Sequence, residues 1–221
     1  MTKKKIVFCD FDGTITVNDN IVAIIKHFNP PGWKALVDKV INTELSVQDG
    51  VGAMFRLLPS TLKDEVTQYG INNAKIRDGF EQFLMYCKEK NIEFYVTSGG
   101  IDFFVYPILS AFNIPEDHIY CNGSDFSGEQ IEITWPHTCD DKCPNGKCGM
   151  CKTSIIRSYS PEQYERILIG DSVTDFEGAK IADIVFSRSH LTTKCKELNV
   201  PSTEYETFFD IIEALEQKGN E

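Results

Sequence analysis

The chain has 221 residues, 42% of them hydrophobic and 25% charged, with a formal net charge of −11. That balance suits one core domain with an insertion, or two small domains, and it disfavours nucleic acid or an anionic membrane as partner. No apolar stretch reaches membrane-spanning length, and the run behind Lys3-Lys4-Lys5 stops at Asp10, too short for a secretory signal, so a cytoplasmic protein with reduced thiols is expected despite eight cysteines.

The first apolar run, residues 6–9, reads as a buried strand and leads into Asp10-Phe11-Asp12-Gly13-Thr14. Side chains two apart on a strand share a face, so Asp10 and Asp12 are expected to project together where the strand ends. Two carboxylates that close repel, and either a metal cation or a proton on one of them must relieve the repulsion. The bland alternative is an acidic turn made possible by Gly13.

From Ile15 to about Lys75 the chain has helix starts at Asn18, Ser46 and Ser60, a break at Pro30-Pro31-Gly32, and little strand character. A crossover needs far fewer residues. A helical cap over 16–75 is therefore expected, set like a lid over the first motif, with the core formed by 1–15 and 76–221. Phe28, Trp33, Met54 and Phe55 are its large apolar residues, either facing a substrate or forming core. The return through Arg77-Asp78-Gly79-Phe80 reads as a turn opening a helix over 79–90.

Beyond it, strands are expected over 92–97, 118–121, 166–169 and 184–186, alternating with helices over 102–113, 152–160, 175–182 and 206–217. This alternation predicts an α/β fold, a Rossmann-like three-layer core with a parallel sheet. Residues 124–135 suggest a hairpin turning at Ser127-Gly128, followed by a cysteine cluster.

Three more motifs fall at strand ends. Thr97-Ser98-Gly99-Gly100 runs into a helix, where a hydroxyl and backbone N–H groups can hold an oxyanion or simply cap the helix. Gly170-Asp171-Ser172-Val173-Thr174-Asp175 gives a second acidic pair, although Asp175 could merely favour the helix start. Lys152 opens a helix, an unfavourable place for a cation, but alone it would be read as a surface lysine. Ligands of open α/β sheets bind at the carboxyl ends of the strands, where Asp10, Asp12, Ser98 and Asp171 all lie. None of His27, His118, His137 and His190 sits in a recognisable catalytic motif.

Together the four motifs, Asp10 to Thr14, Ser98, Lys152 and Gly170 to Asp175, resemble the haloacid dehalogenase-like phosphohydrolases, and within them the phosphoserine phosphatase-like branch. The resemblance implies a Mg²⁺-dependent phosphomonoesterase acting on a small phosphorylated metabolite, with Asp10 as nucleophile and Asp12 as general acid and base. It implies Mg²⁺ held by Asp10, Asp171 and the backbone carbonyl of Asp12, with Asp175 fixing the waters around the metal. Ser98, the Gly99 amide and Lys152 would bind the phosphate oxygens. Metal next to Asp10 would favour its charge, and like-charge proximity would keep the proton on Asp12. Phosphoserine, phosphoethanolamine or phosphocholine esters are alternative substrates. A phosphomutase on the same core, or a catalytically silent metabolite-binding module, are alternative activities. No nucleic acid or membrane partner is expected, and no oligomeric state is predicted.

Cys139, Cys143, Cys148 and Cys151 could form a four-thiolate zinc site, with His137 a spare ligand. Disulfides, or reduced thiols packing a loop, are the alternatives.

Overall fold

A computed structural model describes residues 3–218; the ends of the expected core, 1–2 and 219–221, lie outside the described residues. Seven strands form one sheet: β1 (Lys4–Cys9), β2 (Glu93–Ile101), β3 (Ile119–Asp125), β4 (Glu132–Thr134), β5 (Tyr164–Gly170), β6 (Ile184–Ser187) and β7 (Thr203–Glu204). Their order is β4-β3-β2-β1-β5-β6-β7, parallel throughout except for the antiparallel β3–β4 hairpin. The central strand explains its own sequence. Ile6, Val7, Phe8 and Cys9 are fully buried because both faces of β1 are covered, which is why the run is continuously apolar rather than alternating. Each such side chain contributes roughly 1.5–3 kcal/mol by leaving water.

Helices α1 (Asn20–Phe28), α2 (Trp33–Ile41), α3 (Val47–Phe55) and α4 (Lys63–Asn73) all fall between β1 and β2. The rest are α5 (Phe80–Glu89), α6 (Asp102–Leu109), α7 (Lys152–Arg157), α8 (Phe176–Ala179), α9 (Ser189–Glu197) and α10 (Phe208–Lys218). Two of them have no counterpart in the sequence reading. Neither α2 nor α9 has a side-chain N-cap, and α9 reads SHLTTKCKE, too polar for an apolar stripe to stand out. The helix expected over 102–113 ends as α6 at Leu109, continues as a 3₁₀ turn, and is stopped by Asn113 in the left-handed region (φ 54°).

The α1–α4 segment is pinched where it leaves the sheet. Thr16 and Ile76 form an antiparallel bridge, Val17 N donates to Lys75 O at 2.8 Å, and Arg77 N donates to Ile15 O at 2.8 Å. Further out, Ser60 N donates to Glu129 O and Ile131 N to Leu58 O, tying the segment to the β3–β4 hairpin. Its buried side chains, including Ile24, Val51, Met54, Phe55 and Val66, join one apolar cluster with Phe11, Phe103 and Phe104. Met54 and Phe55 are core; Phe28 and Trp33 pack half-buried against the same cluster.

Arg77 locks this neck. Its buried guanidinium donates to Thr14 O at 2.7 Å, Gly13 O at 2.6 Å, Thr16 O at 3.4 Å and Glu206 O at 3.3 Å. Charge-assisted bonds of this kind contribute roughly 1.5–3 kcal/mol apiece, and carbonyls left without a donor cost more than the lost bond. Arg77→Met keeps the side-chain bulk and removes the donors. It is expected to lower unfolding stability by about 3 kcal/mol, read as a lower urea midpoint at unchanged slope.

Candidate active site

The strand β1 stops at Cys9, and the next residues form a tight loop. Asp10 still donates its backbone N–H to Ile169 O at 2.9 Å, keeping it in register with β5. Its side chain accepts from Phe11 N at 2.8 Å and pairs with Lys152 Nζ at 2.9 Å. Gly13 then takes φ +77°, and a Cβ there would collide with the Asp171 carboxylate. Glycine is required at this point both for the turn and for the approach of Asp171.

Asp10 and Asp12, at the end of β1, take different hydrogen-bond partners. The turn separates their partners: Asp10 faces Lys152, whereas Asp12 Oδ1 accepts from Asn20 N at 2.9 Å and Asn20 Nδ2 at 2.7 Å. The Asp12 carboxyl is pushed up to about 7, first by desolvation and next by the charge of Asp19, against the two Asn20 bonds. Burial, and not repulsion from Asp10, is therefore the main upward push on the Asp12 carboxyl. Asn20 itself is fully buried at the start of α1.

Asp171 follows the end of β5. Its Oδ1 accepts from Thr14 Oγ1 at 3.1 Å, and burial followed by the charge of Asp175 pushes it up to about 6. Asp175 is fully buried and reaches back instead of serving only the helix that follows. One oxygen accepts from Asp171 N at 3.2 Å and Ser172 N at 3.1 Å, while the other pairs with Lys152. Lys152, first residue of α7, is 6% exposed and lies between Asp10 and Asp175. Desolvation would lower its pKa, but the two carboxylates outweigh that and hold the ammonium charged. Burial, then Asp175, push Asp10 well above the usual carboxylate range, with Lys152 pulling against them.

Ser98 and Gly99 lie within β2 and not at a helix start. The strand runs on to Ile101 through a register shift against β3, and α6 begins only at Asp102. Ser98 Oγ accepts from Gly100 N at 2.8 Å. A Cβ on Gly100 would stand 2.9 Å from both Asp12 Oδ2 and Ser98 Oγ, so glycine keeps open the space between those groups. Gly99 has nothing within 4 Å of its missing Cβ and borders free space. Asn122 of β3, absent from the sequence reading, donates to Gly99 O at 2.7 Å and fixes that peptide. The histidines stand apart: His27 stacks on Tyr69, His118 on Tyr95, and His137 packs edge-on to Tyr120.

Asp10, Asp171 and Asp175 each place a carboxylate oxygen within 4.8 Å of the other two. Three carboxylates against one ammonium leave excess negative charge in a buried site, which a divalent cation would relieve. All-oxygen donors of this kind suit Mg²⁺.

A model of the family described as "haloacid dehalogenase-like hydrolase" matches residues 7–180, the stretch that contains all of these groups. The chain belongs to the haloacid dehalogenase-like hydrolase family. It is 54% identical over 221 residues to a Brevibacillus brevis protein named 2-hydroxy-3-keto-5-methylthiopentenyl-1-phosphate phosphatase, covering 100% of this chain and 99% of that one. A Geobacillus thermodenitrificans protein of the same name is 52% identical over 217 residues, covering 98% of each. Among solved structures, this haloacid dehalogenase-like fold matches a phosphoserine phosphatase described as a phospho-aspartyl intermediate analogue. That match has a TM-score of 0.70 at 18% identity, covering 96% of this chain and 99% of the other. A substrate-bound phosphoserine phosphatase complex matches with a TM-score of 0.69 at 17% identity, covering 97% and 99%.

Lys152→Met leaves Asp10 and Asp175 buried without their cation. The expected cost is about 3–5 kcal/mol of stability in metal-free buffer, measured by urea unfolding. Added Mg²⁺ is expected to raise the midpoint of this variant more than that of the parent protein.

Proposed function

We propose that this protein is a Mg²⁺-dependent phosphatase that hydrolyses 2-hydroxy-3-keto-5-methylthiopentenyl-1-phosphate, the enol ester of methionine salvage, through an aspartyl-phosphate on Asp10. The observation that carries the reaction type is the separation of two aspartates into different environments. Desolvation raises both carboxyls, but Asp10 has the Lys152 ammonium at 2.9 Å to hold its charge, beside Asp171 and Asp175, whereas Asp12, pushed up to about 7, is hydrogen-bonded to the neutral Asn20. One carboxylate suited to attack and one suited to carry a proton is the division of labour that phosphoester cleavage requires. The choice of ester rests on the 54% and 52% identical relatives that bear this name.

In the first step a carboxylate oxygen of Asp10 attacks phosphorus, the bond from phosphorus to the leaving oxygen breaks, and Asp12 delivers its proton to that oxygen. In the second, Asp12 takes a proton from water as the water attacks the aspartyl-phosphate, releasing inorganic phosphate and restoring Asp10. Ser98, the Gly99 amide and Lys152 hold the non-bridging oxygens, with Asn122 fixing the adjoining Gly99 carbonyl. Asp175 keeps Lys152 and the amides of Asp171 and Ser172 in place. Mg²⁺, held by Asp10, Asp171 and the Asp12 carbonyl, supplies positive charge against the transferring phosphoryl group. Residues 16–75 act as the cap that admits a small substrate.

Phosphate release from a panel of the enol ester, phosphoserine, phosphoethanolamine and phosphocholine tests the substrate. The enol ester is expected to lead in kcat/KM by roughly 10²-fold or more. A higher kcat/KM for phosphoserine would overturn the assignment. EDTA is expected to abolish turnover and Mg²⁺ to restore it. Asp10→Asn should lose roughly 10⁴-fold or more in kcat, and Asp12→Asn about 10²–10⁴-fold. An Asp10→Asn variant with parental activity would rule out the covalent route.

A further inference from the structure

A second cluster of ligand-type side chains lies outside the reaction site. Cys139, Cys143, Cys148 and Cys151 bring their Sγ atoms within 4.8 Å of one another, and all four are free thiols. The Cys143 and Cys148 sulfurs stand 3.7 Å apart. A disulfide needs about 2.05 Å, whereas tetrahedral metal–sulfur bonds of about 2.3 Å set their sulfurs about 3.8 Å apart. The backbone supports the same arrangement, since Cys148 N donates to Cys139 Sγ at 3.4 Å. His137 takes no part through its ring, which packs against Tyr120; its carbonyl accepts from Cys151 N at 2.8 Å.

The loop has no apolar core of its own, only surface contacts such as the pair of Arg157 with Asp140. Between Cys139 and Cys148 no residue is buried and none belongs to a helix or strand. Yet its ends hold important places. Lys147 O accepts from Gln48 N at 3.2 Å, and Lys147 Nζ pairs with Asp49 at 3.0 Å, both on α3. Trp135 packs over Gly149 and lies near Gly52 of α3. At the other end, Cys151 directly precedes Lys152.

We propose that the four cysteine thiolates bind one zinc ion, a closed structural centre that straps α3 to the segment presenting Lys152. Soft thiolate donors select zinc over the hard cations that suit the aspartates, and four protein ligands leave no open position for chemistry. In a loop this exposed, metal binding takes over the ordering role of a hydrophobic core. The site stands independently of the phosphatase reading.

Zinc content, measured on protein purified without chelators from zinc- and iron-containing medium, is expected at one equivalent per chain. Titration with p-hydroxymercuribenzoate should release that zinc to a colorimetric chelator as thiols are modified. Asp171→Asn should retain it, and a Cys139→Ser, Cys148→Ser double variant should lose it. Cobalt substitution should give the intense visible bands of a tetrahedral thiolate centre. After zinc removal, limited proteolysis should cut between Cys139 and Cys151 at least roughly tenfold faster, while the rest of the chain stays resistant. Iron in place of zinc, disulfides among these cysteines, zinc lost with Asp171→Asn, or no bound metal would each overturn the proposal.

Discussion

The buried ammonium of Lys152 is shared by Asp10, at the end of the first strand, and Asp175, beyond the end of the fifth. Desolvating an ion costs several kcal/mol, so none of these three groups is tolerable there without the others. The pairing therefore dictates the surroundings. It requires β1 and β5 to be neighbours, α7 to begin at their carboxyl ends, and the 171–175 turn to fold back on itself. Gly13 exists in the form it does because Asp171 must come close to the same point.

The same cluster reconciles two properties that look opposed, a net charge of −11 and the proposed site for a phosphate ester. Overall charge sets the field at long range, where salt screens it within about 10 Å. Inside the proposed site, one fixed ammonium and the divalent cation it would hold offset three carboxylates and leave no net negative charge to repel phosphate. An acidic surface and a phosphate-binding centre are compatible because they act at different distances.

Much of the fold was legible in the sequence because it rests on burial. Runs such as Ile6 to Cys9 and Ile167 to Ile169 are apolar for the reason they are strands, and the acidic motifs mark where those strands stop. What escaped reading works through hydrogen bonds that leave no periodic trace. Asn20 holds Asp12, Arg77 collects four backbone carbonyls, and Asn122 steadies the Gly99 carbonyl; each is a single polar residue whose partner is distant in sequence or is backbone. The helix α2 escaped because it follows directly on the Pro30-Pro31-Gly32 break, and α9 because it is too polar for an apolar stripe to stand out. Asp12 shows the limit most clearly. Its spacing from Asp10 suggests a shared proton or a metal, whereas the upward push on its carboxyl comes first from desolvation and next from Asp19, which only three dimensions disclose.

The α1–α4 segment and the sheet share one apolar cluster, and the neck between them is bridged by backbone and guanidinium hydrogen bonds. Packing of this kind makes the segment and the sheet one structural unit. Grafting the corresponding segment of a distant family member onto this sheet would break contacts on both sides, because Phe11, Phe103 and Phe104 were shaped against Ile24 and Phe55. Substitutions on the inner face of this segment are therefore felt in the core of the sheet as well, and the stability of the whole molecule constrains each of them.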